Sequence, residues 1–161
     1  MPRYRLLSNN ELKHFEKEFI EFLVVNGIQP DLWQRMKEEN SNEVEKIVEL
    51  FSEVIFENIA RKTRYLAYIN SSQLFVFNFE KDKGYLLIVE TDSSPMPTCR
   101  SGNEILQYIQ NHEENLLITF QEKDYIESRE EEVFRMMQSC MLINSNVYDT
   151  LFKIYNARSG T

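Results

Sequence analysis

Apolar side chains first fall at helical spacing. After Ser8 they recur as Leu12, Phe15, Phe19, Phe22 and Leu23, one stripe at a period near 3.6. Ser8 and Glu11 stand at its start as a capping box, a hydroxyl and a carboxylate accepting from unpaired N–H groups of the first turn. Asn26-Gly27 closes the stripe with residues that tolerate left-handed backbone. IQPDLWQRMKEEN, with Pro30 in its first turn, predicts a short second helix. Ser41 is the expected cap of a third, 43–61, whose apolar positions Val44, Ile47, Val48, Phe51, Val54, Ile55 and Ile59 share roughly 140° of arc.

From about Thr63 the pattern changes. RYLAYIN, LFVFNFE and YLLIVET are short, rich in aromatic and β-branched residues, and separated by SSQ and KDKG. They predict an antiparallel meander over 64–70, 74–80 and 85–91. Phe75, Phe77 and Phe79 share one face of its middle strand; Leu74, Val76 and Asn78 share the other. The third strand is apolar nearly throughout, which predicts a central place with both faces covered. TDSSPMPTCR reads as a loop. A Ser101–Glu104 capping box then opens a helix over 103–113 with Ile105, Leu106 and Ile109 inward, and NLLITF reads as a fourth strand. A third box, Ser128–Glu131, opens a helix over 129–141 that packs through Val133, Met137, Cys140 and Met141. A last helix, 146–157, offers Val147, Leu151, Ile154 and Tyr155.

The expected fold is α+β, in the order α-α-α-β-β-β-α-β-α-α: a small mixed four-stranded sheet covered by about six helices. Residues 1–161 are expected to form a single domain: a helical part over 1–62, the sheet with one helix over 63–121, and a helical part over 122–161. The length suits one core without staples. Hydrophobic residues make up 42% of the chain, and eight prolines and glycines in all leave little room for flexible linkers.

Charge narrows the partners. A net charge of −8 argues against nonspecific binding to nucleic acid or to an anionic membrane, since both need a basic face. The start, MPRYRLLSNNELKHFEKEF, has no apolar segment of signal-peptide length. Uninterrupted apolar runs reach about five residues, far short of the roughly 20 that span a bilayer. Cys99 and Cys140 lack CxxC spacing, and reduced thiols in a cytoplasmic protein are expected.

The third helix raises the sharpest question, because Glu45, Glu49, Glu53 and Glu57 follow one another at four-residue steps. They drift by about 40° per step on the side away from the apolar stripe. Three like-charge pairs cost roughly 1 kcal/mol together, little enough for a solvated face that has no function. As a metal site the row is poor, since paired carboxylate sites on helices use Glu-x-x-His facing a bundle interior and no His is near. As a contact surface it would suit a partner with a basic rim. Phe56, which projects among the carboxylates, would be the anchor unless it packs under another part of its own chain. Trp33 is a second possible anchor, though a short amphipathic helix usually tucks its Trp inward.

Catalytic signals are sparse. His14 sits on a polar helix face four residues before Glu18, and His112 lies in a last helical turn where a cation complements the dipole. Neither has a neighbouring nucleophile. Cys140 reads as core and Cys99, in the loop, as the more accessible thiol. No P-loop, GxGxxG, HExxH or zinc spacing is present. One enzymatic alternative stands: helix, three-stranded meander, helix, strand over 43–121 is also the core order of the restriction-endonuclease-like fold. Its Mg²⁺-binding acids would be Asp82, Glu90 and Asp92, but Asp92 stands where that fold carries its lysine.

YRLLSNNELKHFEKEFIEFLVVNGI, the following Trp33 and VELFSEVIFENIARKTRYL together resemble a family of small acidic proteins of unknown function from Bacteroidetes-type bacteria. The resemblance runs nearly the whole chain and is strongest over 4–66. It implies a bacterial cytosolic protein and carries over no activity, cofactor or catalytic residue. The expectation is therefore a non-catalytic interaction, adaptor or regulatory protein with no cofactor. Its expected contact surface is Glu45, Glu49, Glu53, Phe56 and Glu57, facing an unknown protein partner rather than nucleic acid or membrane. The alternative is a divergent Mg²⁺-dependent nuclease or hydrolase. Self-association through the three phenylalanines of the middle strand is a second interaction route.

Overall fold

The computed structural model describes residues 4–92 and 95–159, the side chain of Ser41 excepted. The side chain of the expected cap Ser41 and the loop serines at 93 and 94 therefore lie outside what is described. Seven helices and a five-stranded sheet are present among those described. The chain forms two compact units, 1–59 and 60–161.

The first unit is helical: α1 (Asn9–His14), α2 (Glu16–Val25), α3 (Pro30–Glu39) and most of α4 (Ser41–Lys62). The Ser8–Glu11 box is complete. Instead of one helix after it there are two, because Phe15 leaves helical geometry at φ −101° and ψ 26°. Phe15 N–H still donates to Glu11 at 3.0 Å and Phe19 N–H to the Phe15 carbonyl at 2.9 Å, so the apolar stripe continues across the kink. Gly27, at φ +76°, closes α2 in a Schellman turn. Ile28 N–H reaches the Leu23 carbonyl at 2.8 Å, and Gly27 N–H reaches Val24 at 3.0 Å. At the start of α4 the Asn40 side chain, one residue before the expected cap, accepts from Glu43 N–H at 3.3 Å. The core of this unit gathers Phe19 and Phe22 around Phe51, at ring distances of 4.8 and 5.3 Å, with Trp33 edge-on to Phe19 at 5.3 Å. Buried Ser52 links the N-terminal segment to α4: it accepts from Leu7 N–H at 2.9 Å and donates to the Val48 carbonyl at 2.7 Å.

The second unit is a sheet between two helical layers. Its strands are β1 (Tyr65–Ile69), β2 (Leu74–Phe79), β3 (Lys83–Thr91), β4 (Leu116–Asp124) and β5 (Met141–Leu142), in the order β4-β3-β2-β1-β5. Every pairing is antiparallel, so the sheet is not mixed. The chain enters β4 where it left β3, with Leu116 opposite Thr91, and that return fixes the antiparallel sense. β2, rather than β3, is central; β3 lies between β2 and β4, with Leu87 and Val89 buried and Leu86 and Ile88 half-buried. β4 outruns NLLITF by four polar residues, which an edge strand can leave in water. Lys83 there faces Glu122 at 3.6 Å and Asp124 at 3.9 Å.

Alternation divides the sheet cleanly. On one face Ala67, Leu74, Val76, Leu87 and Val89 pack with Ile105 and Ile109 of α5 (Gly102–Asn111) and Val147, Leu151 and Ile154 of α7 (Ser145–Ser159). On the other, Leu66 and Phe79 pack with Val133 of α6 (Arg129–Met137). The helix expected over 129–141 ends early, because Met141 and Leu142 pair with Ala67 and Leu66 as β5. Sheet hydrogen bonds outweighed a helical spacing that Cys140 and Met141 happened to continue.

α6 is held down by Arg129, only 13% of whose side chain is exposed. Its guanidinium donates to the Phe79 carbonyl at 3.2 and 3.1 Å, to Ala60 at 3.0 Å and to Thr63. Ala60 lies in the last turn of α4, where carbonyls lack intrahelical partners and a cation suits the dipole. Replacing Arg129 with Met should cost about 3 kcal/mol, because three inward carbonyls lose charge-assisted partners; denaturant unfolding of the two proteins measures it. A smaller effect has a defined pH window. Arg5, bonded to Glu11 at 2.7 and 2.9 Å, holds that carboxyl down to about 2, with Ser8 N–H adding to the effect. A depressed carboxyl stabilises the fold above its unfolded value and ceases to as pH falls through its folded one. Glu11→Gln should therefore cost less than about 1 kcal/mol at neutral pH, since the pair is exposed. The difference from wild type should vanish between pH 4.5 and 2 in paired melts.

Candidate functional site

The glutamates of α4 do not form a uniform wet row. Glu45 is exposed, whereas Glu49, Glu53 and Glu57 are half-buried. Their drift around the helix brings Glu57 to the Tyr4 hydroxyl, which donates to its carboxylate. Phe56 is buried, against the Tyr4 ring at 6.2 Å and beneath the Arg5 guanidinium at 4.8 Å. It is therefore part of the first unit's own packing and not an exposed anchor. Val54, expected in the core stripe, is instead 45% exposed, and its neighbour one turn back, Leu50, is 56% exposed. Together with Phe22, Asn26, Glu53 and Glu57 they line a shallow groove between α2 and α4. The groove is apolar along its floor and acidic at its edge.

Asp82, Glu90 and Asp92 are not brought together. Asp82 precedes the first residue of β3, and Glu90 is next to its last. Eight residues of extended chain separate these two by roughly 26 Å. Among the described residues, no group of three or more His, Cys, Asp or Glu side chains could hold a metal ion. His14 rests edge-on against Phe15 at 4.9 Å. His112 caps α5 with Nδ1 at 2.9 Å from the Tyr108 carbonyl. The expected order of thiol access is reversed: Cys99 is buried, because its loop folds back into the core under α5 and α7, while Cys140 is half-buried. Burial pushes both thiols up, so each is a neutral thiol rather than a nucleophilic thiolate at neutral pH.

One partly enclosed feature was not foreseen from the sequence. Between α6 and the sheet lies a cavity of about 190 Å³, walled chiefly by Phe77, Phe79, Leu86, Met136 and the Tyr125 ring. Tyr125 sits there because its hydroxyl donates toward the Glu80 and Lys83 carbonyls, at 2.6 and 2.8 Å, across the β2–β3 turn. Burial pushes this phenol up to about 12, so it remains a donor at any ordinary pH. The ring packs over Gly84, 3.4 Å from where a Cβ would stand, an ordinary contact distance. Glu132 enters the same wall from α6. It is 6% exposed; Oε1 accepts from Lys123 Nζ at 3.0 Å, and Oε2 has no partner in the structure. A signal for this site did exist in the chain. Arg129, Glu132, Val133 and Met136 recur at three- and four-residue steps, placing two charged residues on the inward stripe of a helix.

No curated protein and no solved structure matches the chain. A model of DUF6495, described as a family of unknown function, matches residues 1–156. That match spans nearly the whole chain, both helical and sheet units included. The chain belongs to this family of unknown function.

Proposed function

We propose that this protein is a non-catalytic interaction or adaptor protein that docks on a protein partner through the groove between α2 and α4. The observation that carries the reading is the exposure of Leu50 and Val54 one turn apart beside half-buried Glu49, Glu53 and Glu57. Apolar anchors rimmed by carboxylates suit an amphipathic segment that carries lysine or arginine at its edges. Ile20 and Val24 on α2, each about half exposed, extend the apolar surface of the same unit. The acidic balance of the chain, −8 overall, favours encounter with a basic partner over a polyanion. Free thiols at Cys99 and Cys140 support a reducing compartment such as a bacterial cytoplasm. No described helix is long and apolar enough to cross a membrane.

This reading shifts the contact from the carboxylate row itself to the groove beside it. Glu45 remains at its exposed end; Phe56 drops out. Leu50→Lys with Val54→Lys leaves the buried core around Phe51 intact while reversing the character of the groove. In affinity purification from the native host, the specific partner should be retained by wild type and lost with the double variant, with unchanged circular dichroism. Retention of an identical set of proteins by both rules the groove out.

A further inference from the structure

We infer that the cavity between α6 and the sheet is a binding site for a small apolar amine, a ring or short branched chain carrying one ammonium group. The inference stands on the second unit alone and is independent of the groove on the first.

Size comes first. About 190 Å³ exceeds the roughly 150 Å³ of an engineered apolar cavity that admits benzene, and suits a ligand of about eight heavy atoms. The walls supply the apolar part: Phe77, Phe79, Leu86 and Met136, with the two phenyl rings nearly parallel at 6.1 Å. Glu132 supplies the polar part. A buried carboxylate needs donors on both oxygens, and this one has a donor only on Oε1.

No neighbouring donor reaches Oε2 in the structure. Tyr125 already shares its one hydroxyl proton between two carbonyls, and Arg135 is committed to Glu127 at 2.9 Å. Arg129 is spent on Phe79, Ala60 and Thr63. Lys123, 64% exposed, stands toward solvent and reaches only Oε1. An incoming ammonium would give Oε2 its donor and lie near aromatic faces that attract cations, in a wall where Glu122 and Glu132 offset Lys123 and Arg135. A carboxylate or phosphate ligand would meet Glu132 with like charge.

Benzylamine is the direct probe, titrated into the full chain and followed by ¹H–¹⁵N NMR. A ligand of this size in a preformed pocket should bind with a Kd near about 1 mM. Saturable shifts should be confined to the neighbourhood of Phe79, Gly84, Lys123 and Glu132. Toluene, which lacks the donor, should bind at least about tenfold more weakly, a factor set by the value of one charged hydrogen bond. Glu132→Gln should weaken benzylamine by a similar factor, and Met136→Trp, which fills the space, should abolish its shifts. No saturable shift at about 10 mM benzylamine overturns the inference. So does toluene binding as tightly as benzylamine, which would make the cavity a plain apolar void, or undiminished binding to Glu132→Gln. If Glu132→Gln fails to fold, the benzylamine and toluene titrations of the wild-type protein decide alone.

Discussion

The placement of α6 on the sheet depends on one buried guanidinium. Arg129 occupies the first turn of α6 and donates to carbonyls from the end of β2, the last turn of α4 and the residue just beyond it. Without those bonds, α6 would be held to the sheet mainly by Val133 and a few half-buried side chains, a far smaller contact than α5 and α7 make on the opposite face. Three main-chain acceptors would also lose a charge-assisted donor, although Ala60 keeps the Thr63 N–H at 3.2 Å, a cost of the same order as a large core truncation. The cavity beside α6 follows from this arrangement. A helix pinned at its first turn and at Val133 spans the sheet without filling all the space beneath it.

Polar groups inside the unit are otherwise matched with care. Asn78, buried at the end of β2, accepts from Arg64 Nε at 3.2 Å and donates to Glu80 at 3.1 Å, and Arg64 also pairs with Glu80. Arg158, at the end of α7, donates to the Leu116 carbonyl and to Glu113 at 2.7 Å, fastening that helix to the entry of β4. Against that background the unmatched oxygen of Glu132 stands out. It is the single buried side-chain polar atom without a partner among the described residues. Natural cores rarely leave such an atom without reason, and its position in the wall of a half-open apolar cavity makes a ligand the economical explanation.

Much of the fold was legible where one physical rule dominates. Capping serines at 8, 101 and 128, the Asn26-Gly27 terminus and the β1–β3 meander follow from local hydrogen bonding and side-chain period, and each forms where expected. What escaped reading depended on distant pairing. Met141-Leu142 has no strand signal of its own and becomes β5 only because β1 has a free edge. β4 continues through Gln121, Glu122 and Lys123 because β3 offers partners, though the residues themselves are polar. The site was less legible than the fold. The glutamate row drew notice by its regularity, yet two of its expected members, Phe56 and Glu57, are engaged by Tyr4. Arg129 and Glu132 fall in the first turn of α6, where a capping box makes acidic residues unremarkable. Only the three- and four-residue spacing of Arg129 and Glu132 with Val133 and Met136 marks these charges as turned inward.

The two surfaces therefore invite different roles: an acidic-apolar groove on the helical unit for a protein, and a partly enclosed pocket on the sheet unit for a small cation. The account depends most on the claim that Arg129 is the principal fastening of α6 over that pocket. Native-state hydrogen exchange on Arg129→Met tests it most directly. The account predicts that amides of α6 lose protection while those of α5, α7 and β2–β3 keep theirs. Equal loss throughout the unit, or unchanged protection in α6, would contradict it.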